Sequence, residues 1–160
     1  MKQMTACFFT SLLLLLVIAI PALATSSGTP DGTFTATLDP ASFTLTPVGA
    51  NCLLTVQGAL TFSGRLIGEA TGMTSALVFA DCGAVQANPP GAFPDVFRSE
   101  LTFTGTINGT SVTDLGLIYQ GQTAVGGDIR GQMHLDNGRQ GVLSVAGIVA
   151  QGGSYWFQTP

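Results

Sequence analysis

Leu60-Thr61-Phe62-Ser63-Gly64-Arg65-Leu66-Ile67-Gly68 returns further along the chain as Leu101-Thr102-Phe103-Thr104-Gly105-Thr106-Ile107-Asn108-Gly109. The shared Leu-Thr-Phe-Ser/Thr-Gly alternates apolar and polar side chains, which suits a strand with one buried face. A glycine closes each copy, where a tight turn calls for positive φ. Two related hairpins imply an antiparallel barrel or sandwich. No set of side chains in the chain specifies a reaction, so function is weighed by what is absent as well as by what is present.

Outward from the repeat, the alternation continues. Phe34, Ala36 and Leu38 oppose Thr33, Thr35 and Thr37; after a break at Pro40, Phe43 and Leu45 oppose Ser42, Thr44 and Thr46, giving two short strands or one bent one. Ser75 to Ala80 should return toward Cys82. The segment from Gly83 to Asp95 holds Asn88-Pro89-Pro90-Gly91 and Pro94 and reads as the longest irregular loop, without a helix. In the second hairpin, a two-residue Asn108-Gly109 turn would set Phe103 opposite Asp114. A three-residue connection with a glycine-type bulge pairs Phe103 with Leu115 and Leu101 with Leu117, which keeps one face apolar, so that register is expected. Phe97, Leu101, Phe103 and Ile107 share this face; Arg98, Glu100, Thr102 and Thr104 take the other.

Ile129, Met133 and Leu135 alternate with Arg130, Gln132, His134 and Asp136 before Asn137-Gly138. A two-residue turn there would face Asp136 with Arg139. The return from Val142 to Ala150 is apolar on both parities, as in a strand covered on both sides. Gly152-Gly153 reads as a further turn, and Ser154-Tyr155-Trp156-Phe157 as the closing strand. No stretch outside the first residues has helical periodicity with caps.

Those first residues, 1–24, have the form of a cleaved secretory signal: Lys2, an apolar run from Leu12 to Ile20, and Ala22-Leu23-Ala24 as a small-x-small site. The run is shorter than the roughly 20 residues a spanning helix needs, so no stable membrane insertion is expected after cleavage. Met4-Thr5-Ala6-Cys7 precedes the run and makes a poor lipoprotein box. Residues 25–31 form a disordered lead rich in Ser, Gly, Thr and Pro, and residues 32–160 a single domain. Cleavage leaves Cys52 and Cys82 as the only thiols in a chain bound for an oxidising compartment, extracellular or periplasmic, where they should pair.

The full chain carries a formal net charge of −4, and Lys2 is its only lysine. Such a chain has little with which to neutralise phosphates, so nucleic acid and anionic membranes are poor partners. Without lysine, the mature chain has neither Schiff-base chemistry nor a phosphate loop with its lysine. His134 is the only histidine; it reads as a solvated side chain on a polar face, no metal site is expected, and Gly-x-Ser-x-Gly is absent. No cofactor is called for.

The phrase Phe-x-Gly-x-Leu/Ile-x-Gly, followed by Gly127-Asp128-Ile129-Arg130-Gly131 and Gly141-Val142-Leu143-Ser144-Val145-Ala146-Gly147, resembles bacterial secreted proteins related to the allene oxide cyclase type of barrel. The resemblance implies an all-β fold: one antiparallel, calycin-like β-barrel of about eight strands. Its motifs are turn and packing residues, so it transfers no catalytic position.

Three functions follow in order of expectation. The first is a non-enzymatic binding or structural module, with a small apolar molecule as its ligand and Arg65, Glu69, Glu100, Tyr119 and Trp156 as candidate binding residues. The second is a barrel isomerase or cyclase, which should enclose a cavity lined by a charged group such as Arg65, Glu69 or Glu100 with a perturbed pKa. The third is a surface adhesive module with an exposed apolar patch near Phe93, Phe97 or Trp156. Asn108-Gly109-Thr110 is a glycosylation sequon whose turn role is sufficient explanation. Whether the barrel closes on its own strands or with a second copy is open from sequence.

Overall fold

The structure is a computed structural model and describes residues 28–158. The signal read at 1–24 and the start of the expected lead fall outside these residues. Nine strands follow in chain order: β1 (Gly32–Leu38), β2 (Thr44–Val48), β3 (Asn51–Gly64), β4 (Leu66–Val78), β5 (Asp95–Ile107), β6 (Thr110–Thr123), β7 (Asp128–Leu135), β8 (Gly141–Ile148) and β9 (Gly152–Phe157). A short helix, α1 (Cys82–Ala87), joins β4 to β5.

From β3 to β9 each strand pairs antiparallel with the next, and β1 closes the ring by pairing with both β9 and β3. β1 and β2 lie in line along β3, β1 against residues 58–64 and β2 against 51–55. A 3-10 turn at Pro40–Ser42 separates them, where the Asp39 side chain accepts the Ala41 amide at 3.0 Å. The barrel thus has eight staves, one of them broken at Pro40, and closes on its own strands without a second copy.

The period-2 pattern sets the core. Phe34, Phe62, Leu66, Phe103, Leu117, Met133, Leu135, Leu143 and Tyr155 all point inward and are buried, each burial worth about 1.5–3 kcal/mol relative to exposure. Phe62 meets Phe103 and Tyr155 edge to face, at centroid distances of 5.7 and 6.0 Å. These residues pack the end of the barrel that carries the β3–β4, β5–β6 and β7–β8 turns.

Several local expectations are corrected. Gly68 does not close a turn: it lies inside β4 opposite Gly105, and a Cβ on it would fall 2.3 Å from the Thr104 carbonyl oxygen. The repeat therefore marks a place where two strands approach closely rather than two equivalent turns. In the second hairpin the expected pairs Phe103 with Leu115 and Leu101 with Leu117 are present, but the route differs. Asn108-Gly109 is a two-residue turn, both residues at positive φ, with Ile107 opposite Thr110. The one-residue shift comes from a bulge between Phe103 and Gly105, where Asp114 on the facing strand takes φ 53°.

The third connection is longer than two residues. Leu135 pairs with Gly141, and the connection is a 3-10 turn, Asp136–Gly138, with all three residues at positive φ, followed by Arg139 and Gln140. Asp136 and Arg139 are consequently not cross-strand partners. Gly152-Gly153 belongs to β9, and the turn before it is at Val149, Ala150 and Gln151, with Ala150 at φ 59°. The outer face of β8 is half-exposed rather than covered, because the barrel wall is a single layer.

The expected loop at 83–95 begins with a helix instead. Asp81 caps α1 by accepting the Ala84 amide at 3.0 Å, a short-range cap that outweighs the lack of helical periodicity. Only the following Asn88 to Pro94 stretch, with its three prolines, is irregular. Cys52 at the start of β3 and Cys82 at the start of α1 form the expected disulfide. The described end of the lead, 28–31, is held by the barrel: the Asp31 amide donates to the Tyr155 carbonyl at 2.9 Å, and the Trp156 indole donates to the Gly28 carbonyl at 2.9 Å.

Candidate functional site

The two ends of the barrel differ. The turn end just described is filled with side chains, whereas the end under α1 and the Asn88–Pro94 segment holds a cavity of about 600 Å³, within the range of small-molecule pockets. Its wall is apolar: Leu54, Val56, Leu60, Ala76, Phe97 and Leu101 face into it from β3, β4 and β5. The local sequence explains the space. Toward this end the inward positions of β4 are Gly72, Thr74 and Ala76, and the facing position of β5 is Ser99, small side chains where the other end has Leu66, Phe103 and Ile107.

The wall is also open in one place. β9 pairs with β1 only as far as Thr35, followed by one further bond from the Ala36 amide to the Gln151 carbonyl. Beyond it β2 pairs with β3 alone among the described strands, and the lining residues Phe43 and Ala150 flank the break.

Besides the Thr37, Thr74, Ser99 and Thr123 hydroxyls and the Gln86 and Asn88 amides, the polar lining is Asp95 and Tyr119. Asp95, first residue of β5, and Tyr119, on β6, are the only titratable side chains among the described lining residues. The Asp95 carboxyl is half-buried; burial raises its pKa above the ordinary carboxylate value, against a smaller opposing effect of Thr123, its cross-strand neighbour. Its Oδ1 is buried without a hydrogen-bond partner. Tyr119 is 5% exposed, packed edge to face on Phe97 at 4.9 Å, and its hydroxyl is likewise unpartnered; burial pushes the phenol well above its ordinary pKa. By contrast Ser99 and Thr74 satisfy each other at 2.8 Å.

Of the five residues expected to bind a ligand, the structure brings only Tyr119 to the cavity. Arg65 lies in the β3–β4 turn at the packed end, bonded to Asp31 at 3.1 Å and to Asn108 Oδ1 at 2.8 Å, with its guanidinium 4.3 Å from the Phe157 ring centroid. Glu69 and Glu100 are exposed on the outer wall, Glu100 in a surface ion pair with Arg98. Trp156 lies half-buried on the outer face against Gly28. Strand parity decides this: odd positions of β5 and even positions of β4 face inward, which sends Glu69 and Glu100 outward.

Asp95 is the residue that sequence reasoning missed. It has the same parity as Phe97, Leu101 and Phe103, and that signal was available, masked by its place directly after Pro94. Phe93 and Phe97 line the cavity rather than form an outer patch; Phe43, Val48, Phe79, Val96 and Val125 are exposed apolar side chains at the cavity end. His134 is on the outer face as expected but less solvated: it is half-buried beneath the 136–140 turn, with Nε2 buried and unpartnered. Among the described residues no three His, Cys, Asp or Glu side chains converge as a metal site, and no helix is long and apolar enough to cross a membrane.

A closed, eight-stave antiparallel barrel with one packed end and one hollow end fits the calycin-like class. No family model, curated protein or solved structure matches the chain, so fold and cavity carry the functional reading.

Proposed function

We propose that this is a secreted, disulfide-stapled binding module that holds a small, mainly apolar molecule in the hollow end of its barrel. The observation that carries the reading is the cavity of about 600 Å³, walled mainly by aliphatic and aromatic side chains, two of whose lining residues, Asp95 and Tyr119, each carry a buried polar atom without a partner. A structural barrel has no need of such a space, because an unfilled interior forfeits packing contacts. Export rests on the form of residues 1–24 and is supported by the Cys52–Cys82 disulfide. The kinship with the allene oxide cyclase type of barrel is supported by strand number and antiparallel closure alone.

The isomerase or cyclase reading is favoured by one observation, a carboxyl of raised pKa inside the cavity at Asp95. It lacks a second group suited to proton transfer: among the described lining residues the only other titratable one is Tyr119, whose phenol is made a weaker acid by burial. Binding without turnover is the better account.

The test is a titration with N-phenyl-1-naphthylamine, an uncharged apolar dye that fluoresces on leaving water. Saturable binding of one dye per chain is expected, lost in Ala76→Phe, which fills the cavity, and kept in Ala146→Phe on the outer face. Absence of saturable binding, or equal binding by both variants, would overturn the proposal.

A further inference from the structure

The charges around the cavity are one-sided. Arg65, Arg98, Arg130 and Arg139 are all exposed, and no cationic side chain is among the described lining residues. The cavity has no group that could neutralise a carboxylate, sulfonate or phosphate brought into it. Among its lining residues are two with an unsatisfied polar atom: Asp95, whose acidic Oδ1 is buried and without a donor, and Tyr119, a side chain more than nine-tenths buried whose hydroxyl is equally unpartnered and able both to donate and to accept.

A buried polar atom without a partner is costly, and native proteins satisfy nearly all of them. Two in one cavity, on adjacent strands, mark where a ligand's polar groups belong. The pairing shows why these two and not their neighbours: Ser99 sits opposite Tyr119 in the β5–β6 register, but its hydroxyl is already bonded to Thr74.

Resting on the binding reading above, we propose that the cavity selects apolar ligands that carry a hydrogen-bond donor and no negative charge, alcohols or amines, and rejects fatty carboxylates. The donor supplies the missing hydrogen to Asp95 Oδ1, and the Tyr119 hydroxyl bonds a second polar atom of the ligand or, in a ligand with a single polar group, that same group. An anionic head would be set beside Asp95 in a space without a counter-charge, which costs desolvation and repulsion together.

Displacement of bound N-phenyl-1-naphthylamine at pH 7.5 by 1-decanol, decylamine and decanoate, three ligands with one chain length and three head groups, tests this. The alcohol or the amine should displace the dye at concentrations at least ten-fold lower than decanoate. Part of any such gap reflects the carboxylate's own preference for water, so the variant comparison decides. In Asp95→Asn the gap should narrow at least three-fold, with decanoate gaining, and Tyr119→Phe should weaken 1-decanol. An amine advantage over the alcohol that disappears in Asp95→Asn would identify an ammonium–carboxylate pair; equal binding of the two would identify a hydrogen bond. Decanoate binding as tightly as 1-decanol, or a gap unchanged in Asp95→Asn, would overturn the proposal while leaving the binding reading standing. Failure of the dye itself to bind would remove both.

Discussion

The Tyr155 hydroxyl accepts the Leu66 amide at 2.8 Å and donates to the Ser63 carbonyl at 3.0 Å, tying the last strand to the β3–β4 turn across the packed end of the barrel. Tyr155 is fully buried. Tyr155→Phe would keep the ring contacts with Phe62 and Phe157 but leave a buried amide without a partner, a loss of about 1–3 kcal/mol. Urea denaturation should show a lower midpoint with an unchanged slope, and dye binding at the far end should survive.

Tyr119→Phe should behave in the opposite way. This hydroxyl has no partner to abandon, so its removal should leave the unfolding free energy unchanged or raise it by up to about 1 kcal/mol. The same denaturation experiment separates the two tyrosines: one hydroxyl holds the fold, and the other is available for a ligand.

Two carboxylates should make opposite contributions to the pH dependence of stability. Asp31 accepts the Phe157 amide at 2.8 Å and pairs with Arg65, which together hold its pKa below the ordinary value against a partial desolvation. Its contribution is present above the ordinary carboxylate range and is lost as pH falls through its lowered folded value. Asp31→Asn should therefore lower Tm at pH 7 and converge on the parent protein in strong acid.

Burial raises the Asp95 pKa, so the folded chain binds this proton more tightly than the unfolded one. Stability falls as pH rises from the ordinary carboxylate value through the raised one, and the penalty is complete above it. Asp95→Asn should be more stable than the parent protein at pH 7, and the gain should fade as the solution is acidified below the ordinary carboxylate range. Thermal melts from about pH 2 to about pH 8, reaching well below the ordinary carboxylate value of about 4, check both signs.

The disulfide closes a sequence separation of 30 residues and anchors α1 beside the cavity. Replacing both cysteines with serine should cost about 3–4 kcal/mol by the chain-entropy relation. The decisive readout is differential: proteolysis should cut first in the 82–94 segment, while the packed end stays protected.

Strand parity made much of this fold legible. The faces of β5 and the pairing of Phe103 with Leu115 follow from alternation because a one-residue slip would expose every apolar side chain. The route to that register was not legible, since a turn and a bulge can exchange one residue without changing any pair farther along. Helix α1 escaped because its six residues are too few for a period and its signal is one cap, Asp81. In the candidate site only Tyr119 was legible. Arg65, Glu69 and Glu100 drew notice as charges, yet at the packed end and on the outer wall charges need no ligand. Asp95 was hidden by its place directly after Pro94, at the end of a segment that reads as an irregular loop.

If the hollow end of the barrel, not its outer wall, receives the ligand, a crystal structure with 1-decanol should show the alkyl chain among Leu54, Val56 and Phe97, with the hydroxyl in hydrogen-bonding distance of Asp95 or Tyr119. Decanol found only on the outer surface, or a cavity closed by the protein's own side chains, would contradict it.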